Sequence, residues 1–150
     1  MKKGILIYLG LIYSFSLIAT LFGILSFRFD IVFFFFHCLL VLICVYNLFK
    51  KKFIKQSLCF LILSNFLQSV RFLVGGVYYI FIQGVDYTFQ IYKIKDWKMG
   101  MELVTYNSGL GLGIDPDKTS MVININLIQL FLFVNLVVWY REIIKIKVKN

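Results

Sequence analysis

Residues 58–82 read LCFLILSNFLQSVRFLVGGVYYIFI, a nearly continuous apolar run with a single charged residue, Arg71. A helix needs roughly 20 apolar residues to cross the hydrocarbon layer of a bilayer, so this run is long enough to span one. Three further runs of similar composition occupy residues 5–27, 31–49 and 121–140. The sequence therefore predicts an all-α membrane protein built as a four-helix transmembrane bundle.

The composition of the chain supports this class of protein. Of its 150 residues, 61% are hydrophobic and only 15% are charged, and the mean hydropathy is +0.87. A soluble domain of this size would need more polar surface than these residues supply. We therefore expect a single four-span membrane domain that covers residues 1–150 and interacts with the lipid bilayer.

The positive charges predict the orientation of the four spans. The formal net charge is +9, and the basic residues cluster in residues 2–3, 50–55 and 141–150, next to the ends of the apolar runs. This distribution argues against nucleic acid as a partner. Lys and Arg are retained on the cytoplasmic side of membranes, and four crossings bring all three clusters to one side. We expect the bacterial cytoplasmic membrane, with both termini cytoplasmic and residues 83–120 outside.

The predicted outer loop, residues 83–120, has its own pattern. Residues 86–91 alternate polar and apolar side chains with the two-residue period of a strand. Residues 101–106 fit a second strand, and residues 96–100 fit the turn between them. The sequence predicts a small extracytoplasmic loop between helices three and four that contains a possible β-hairpin.

Polar side chains in the third and fourth apolar runs predict a seam between two helices. Ser64, Gln68 and Arg71 follow one another at steps of four and three, which places them on one helical face. Asn124 and Asn135 are eleven residues apart and nearly superpose on a helix. We expect the third and fourth helices to pack through these five residues, with Arg71 hydrogen-bonded across the seam.

Two interpretations of Arg71 remain open at this point. A charge at the bilayer centre costs about 2.5–3.5 kcal/mol on insertion scales, so such residues usually face a partner or a cavity. In the functional interpretation, Arg71 attracts an anion, a lipid phosphate or an acid of a partner subunit. In the structural interpretation, which we favour, Arg71 reaches the headgroups or pairs with Asp30 or Asp86. The predicted spans themselves contain no acid well inside them.

The reactive residue types do not form a recognisable catalytic or metal-binding pattern. The three cysteines, Cys38, Cys44 and Cys59, lie inside predicted spans, and His37 is the single histidine of the chain. Metal and haem sites need several converging ligands, and catalysis needs a nucleophile, a base and an orienting group. We expect no metal, no cofactor and no enzymatic activity.

These observations lead to two hypotheses about function. The first is a non-catalytic accessory, regulatory or protective subunit that contacts another membrane protein, or a second copy of itself, within the bilayer. The alternative is a small oligomeric transporter or channel with an anion-attracting path at Arg71. In both cases the basic loop at residues 50–55 and the tail at residues 141–150 are expected to contact anionic lipid.

Overall fold

A computed structural model describes residues 2–23, 28–93, 96–114 and 121–149, and the structural statements below concern these residues. It contains a four-stranded antiparallel sheet besides four helices, so the predicted all-α fold class is wrong and the fold is α+β. The elements in chain order are α1 (Lys2–Gly23), α2 (Phe29–Phe49), α3 (Ile54–Ser69), β1 (Val70–Val74), β2 (Val77–Lys93), β3 (Trp97–Ile114), β4 (Met121–Asn126) and α4 (Leu127–Lys149).

The chain forms two compact units, which we describe separately. The helical unit comprises Met1–Ser64 and Leu132–Asn150, and the sheet unit comprises Asn65–Phe131. Among the described residues, three helical segments are long and apolar enough to cross a membrane: Lys2–Phe22, Phe29–Phe49 and Leu127–Lys145. The first two correspond to the first two predicted spans, and the third begins six residues later than the predicted fourth span.

The first three helices of the helical unit pack against one another in alternating directions. A Cβ atom added at Gly10 would lie 3.9 Å from Val45, and the ring centroids of Tyr13 and His37 are 5.6 Å apart. Contacts that move forward along α1 therefore move backward along α2, which makes the two helices antiparallel. His37 Nε2 in turn lies 2.8 Å from Ser64 Oγ on α3. The absence of a side chain at Gly10 lets the two helix backbones approach closely.

The start of α1 and the last turns of α4 lie together in the helical unit. The ammonium group of Lys2 forms an ion pair with Glu142 and lies 5.7 Å from the centre of the Trp139 ring. Because α2 runs antiparallel to α1, its last residue, Phe49, lies at the same end of the bundle as the start of α1. The basic residues that follow α2 therefore leave the bundle at the end where Lys2 and Glu142 meet.

The predicted third span, residues 58–82, is only partly helical. Helix α3 ends at Ser69 after 16 residues, and β1 begins at Val70. The residues beyond Ser69 are mainly β-branched and aromatic, and such side chains favour strands. Gly75 and Gly76 have φ angles of 58° and 80°, the left-handed values of a type I′ turn that joins β1 to β2. A hairpin therefore replaces the second half of the predicted helix.

The predicted fourth span, residues 121–140, also begins as a strand. Met121–Asn126 forms β4, and α4 starts only at Leu127. The Asn126 side chain causes this switch, because its Oδ1 accepts hydrogen bonds from the backbone N–H groups of Ile128 and Gln129 at 3.0 and 3.1 Å. These are the otherwise unpaired donors that an N-cap residue satisfies.

The sheet is built around the long strand β2. The strand order is β1-β4-β2-β3, and β1 also pairs with β2. Each of the strands β1, β2 and β4 therefore pairs with the other two. The hairpin of β2 and β3 extends from the pair Val77–Ile114 to the pair Lys93–Trp97, with a register shift between Gly84 and Asp86. It is far longer than the small hairpin expected in the outer loop.

The alternating glycines of β3 make room for one tyrosine of β2. A Cβ atom at Gly113 would lie 2.8 Å from Tyr78 Oη, and one at Gly111 would lie 3.1 Å from Tyr78 Cε2. Both contacts are closer than real Cβ atoms normally allow, so the Tyr78 ring occupies space that side chains at these positions would fill. The glycine pattern thus has a packing role in a strand.

We predict that the β1–β2 hairpin depends on the conformational freedom of Gly75. No atom lies within 4 Å of a Cβ built at Gly75, so a substitution there meets backbone strain without steric contact. Gly75→Val should destabilise the hairpin by roughly 1–2 kcal/mol, whereas Gly75→Asn, which tolerates left-handed φ, should be nearly neutral. Amide hydrogen exchange of β1 and β2 measures the effect. Equal exchange in the two variants would contradict the prediction.

Candidate functional site

A buried ion pair lies at the centre of the sheet unit. Arg71 is on β1 and Asp86 is on β2, beside the register shift of the β2–β3 hairpin. Arg71 Nη2 lies 2.9 Å from Asp86 Oδ2, and the two side chains are only 12% and 3% exposed. A buried pair of this kind is tolerated only when further hydrogen bonds satisfy the remaining donors and acceptors.

Asp86 obtains these hydrogen bonds from all four strands. Asn107 on β3 donates to Asp86 Oδ2 at 3.2 Å, and Asn126 on β4 donates to Oδ1 at 3.0 Å. Thr88 on β2 also donates to Oδ1, and its oxygen accepts from Arg71 Nη2 at 2.8 Å. Each strand therefore contributes one donor to a single carboxylate. We call Arg71, Asp86, Thr88, Asn107 and Asn126 the carboxylate network.

Two of the five residues predicted to form a helical seam are neighbours in the sheet. Arg71 and Asn124 are directly opposite each other in the β1–β4 pairing. The prediction that they lie on two packed helices is wrong, because both lie on strands. Gln68 is buried on α3 within the sheet unit. Ser64 and Asn135 belong to the helical unit, where Ser64 contacts His37.

The partner of Arg71 comes from its own chain. Asp86 is one of the two acids that the structural interpretation proposed for Arg71. The other acid, Asp30, instead forms an exposed ion pair with Arg28, with 3.0 Å between Nη2 and Oδ2. Because the helix ends at Ser69, residues 70–93 double back as strands and bring Asp86 within reach of Arg71.

A pocket of about 300 Å³ lies beside the network. Two buried polar atoms of its lining residues, Arg71 Nε and Asn124 Oδ1, have no hydrogen-bond partner within the described part of the chain. Burial raises the pKa of Tyr79, whose hydroxyl group donates to the Leu67 carbonyl at 2.9 Å. The pocket is lined by Arg71, Phe72, Leu73, Tyr78, Tyr79, Ile80, Val122 and Asn124.

The remaining members of the network were not identified from the sequence, although a signal for them exists. Asp86 and Thr88 are two residues apart, as are Asn124 and Asn126, so each pair points to one face of its strand. The alternation at residues 86–91 was recognised, but residues 121–126 were assigned to a helix. Within the four described ranges, no three His, Cys, Asp or Glu residues cluster in a way that could hold a metal ion.

The chain matches no family model, and comparisons with curated proteins and with solved structures find no similar protein. The geometry itself indicates what the network can do. Asp86 accepts hydrogen bonds from three polar side chains and also pairs with the guanidinium group of Arg71, so donors of its own chain engage its lone pairs. This arrangement is better suited to holding the four strands together than to reacting with a substrate.

We predict that the Arg71–Asp86 pair is the main polar contribution to the stability of the sheet unit. Arg71→Met and Asp86→Asn should each cost about 3–5 kcal/mol, because each leaves one buried charge without its partner. The double variant should lose less than the sum of the two single losses, since it removes both charges together. Denaturant titration in detergent micelles measures these free energies of unfolding.

Arg28→Met is the matched control for this experiment. Arg28 also pairs with an aspartate, but its side chain is exposed, and exposed ion pairs contribute under about 1 kcal/mol. Equal losses for Arg28→Met and Arg71→Met would mean that burial of the pair is unimportant. Additive losses in the Arg71→Met/Asp86→Asn variant would mean that the two side chains do not act as a pair.

Proposed function

We propose that this chain is an integral membrane protein with both termini in the cytoplasm and residues 83–120 on the other side of the membrane. Three helices of sufficient length support the membrane part of the proposal. Their large exposed side chains, such as Phe15 on α1, Phe36 on α2 and Phe131 on α4, suit contact with lipid. Helix α3, about 24 Å long, returns the chain most of the way across the hydrocarbon layer.

The charge distribution supports the orientation. Lys2 and Glu142 are in contact, and residues 50–53 leave α2 at the same end of the helical unit. Lys and Arg residues near span ends are retained in the cytoplasm, so this end is the cytoplasmic one. The sheet unit contains only a few basic residues, including Arg71, which Asp86 neutralises.

Cysteine labelling tests the orientation. In a background that lacks Cys38, Cys44 and Cys59, Lys52→Cys and Ser108→Cys each introduce one thiol at an exposed position. A membrane-impermeant maleimide should label Ser108→Cys in intact cells and Lys52→Cys only in inverted vesicles. Labelling of both positions from the same side would overturn the proposed orientation, whereas the description of the sheet would be unaffected.

We further propose that the protein acts without catalysis, as an accessory, regulatory or protective subunit that works by contact with another membrane protein or with a second copy of itself. The observation that carries this proposal is the closed carboxylate network. The buried guanidinium group of Arg71 is neutralised by Asp86, so it needs no acid from a partner and attracts anions only weakly. The exposed apolar side chains of the helices then offer a surface for recognition.

Affinity purification tests the proposed role. We expect the chain, tagged at its C-terminus and solubilised in a mild detergent, to co-purify either a second membrane protein in a fixed ratio or a second copy of itself. The matched control is the same tag on an unrelated four-span protein, which should not recover that partner. A preparation that contains only a solitary monomer would contradict the proposal.

A second candidate function, an anion path, is favoured by one observation. Arg71 lines a pocket with a mainly apolar wall, and its buried Nε has no hydrogen-bond partner among the described residues. Reconstitution into liposomes distinguishes the two functions. The contact role predicts no chloride or phosphate flux above that of protein-free vesicles. A flux that the Arg71→Lys variant changes in rate or selectivity would establish the anion path instead.

A further inference from the structure

Strand β3 forms a free edge of the sheet. In the described part of the chain it pairs with β2 alone, so the N–H and C=O groups along its other side face no strand. The segment Trp97–Leu103 is exposed along this edge, and four of its apolar side chains are between 56% and 71% exposed. These side chains are Trp97, Met99, Met101 and Leu103. An open edge of this kind is a template for another strand.

The sequence of this edge is self-complementary. Residues 97–103 read WKMGMEL, so an antiparallel copy centred on Gly100 places Lys98 opposite Glu102 and Met99 opposite Met101. Trp97 then lies opposite Leu103, and Gly100 lies opposite itself. Lys98 and Glu102 are the only charged residues in β3, and in this register each of them meets its opposite charge. We propose that two copies of the chain pair through β3 around a two-fold axis at Gly100.

The two faces of the paired strands are consistent with this register. Side chains alternate along a strand, so Lys98 and Glu102 of both copies lie on one face, with Gly100 between them. The four apolar side chains of each copy lie on the other face and form one continuous apolar surface. The contact is isologous, as a two-fold dimer requires, and joins the two sheets into one. Seven residues per copy is a normal length for a paired strand.

Other arrangements of the same two strands are less favourable. A parallel, in-register pairing places Lys98 opposite Lys98 and Glu102 opposite Glu102, and like charges directly opposite each other destabilise a sheet. In any other antiparallel register Lys98 and Glu102 are no longer directly opposite each other, which weakens their attraction. Glu102 Oε2 accepts a hydrogen bond from Gln90 at 2.6 Å, and the second carboxylate oxygen is left to face Lys98 of the other copy.

This inference goes beyond the proposed function, because the pairing depends on β3 and not on the helices. A dimer joined through β3 is compatible with either orientation of the chain in the membrane and with either candidate role. Failure of the dimer would therefore leave the labelling result, the flux result and the recovery of a different membrane protein intact, and the reverse also holds.

Site-specific cross-linking of the full chain in detergent tests the position of the axis. In the background without native cysteines, Gly100→Cys places two thiols opposite each other at the axis, and no atom lies within 4 Å of a Cβ at this position. A short bismaleimide should convert most of this variant to a covalent dimer. The control, Ser108→Cys, lies on the same strand outside the paired segment, so its two thiols are far apart in the dimer and should not be cross-linked. Equal cross-linking at the two positions, or none at Gly100→Cys, would overturn the proposal.

Charge exchange tests the register. Lys98→Glu and Glu102→Lys each replace attraction by repulsion at two symmetric places, so each should weaken dimerisation about tenfold or more. The double variant Lys98→Glu/Glu102→Lys restores opposite charges and should dimerise like the wild-type chain. Light scattering of the protein in detergent, over a range of concentrations, measures the dimer fraction. A wild-type chain that stays monomeric, or a double variant as weak as the single ones, would overturn the proposal.

Discussion

Burial of a carboxylate is unfavourable unless hydrogen-bond donors replace the water that it loses. The sheet unit must therefore supply these donors to the buried carboxylate of Asp86. Its donors come from β1, β2, β3 and β4, so no strand can leave the sheet without removing one of them. Asn126 adds a second link, because the same side chain that donates to Asp86 also accepts the first hydrogen bonds of α4. The network thereby couples the sheet to the start of the last helix.

Hydropathy alone could predict α1 and α2, because their apolar runs are long and free of strand or turn signals. It could not separate helix from strand within residues 58–82, since an apolar run satisfies both structures. The deciding signals were local: the Gly75-Gly76 pair and the β-branched and aromatic residues around it. The alternation of Val122 to Asn126 carried the same information for β4. The length of an apolar run alone therefore predicts a helix where these local signals indicate a sheet.

The candidate site shows a different limit of sequence analysis. Arg71 was recognisable as an isolated charge in an apolar run, and Asp86 was one of two acids considered for it. Arg71 and Asn124 face each other in two paired strands and not across the predicted helical seam, because helical spacing and strand register bring together different neighbours. Asn107 is opposite Gly84 and donates to Asp86 across the register shift between Gly84 and Asp86. Such a shift has no sequence signature that could be recognised before the pairing was known.

The position of β4 in the sheet has a consequence for how the chain is made. Strand β4 lies between β1 and the second half of β2, although it is synthesised after both of them and after β3. During synthesis, the edge of β1 that pairs with β4 therefore has no partner strand until residue 126 has left the ribosome. The single residue Asn126 therefore completes both the carboxylate network and the N-cap of α4. A nascent chain arrested before residue 121 lacks β4, and Asp86 then lacks the hydrogen-bond donor that Asn126 supplies.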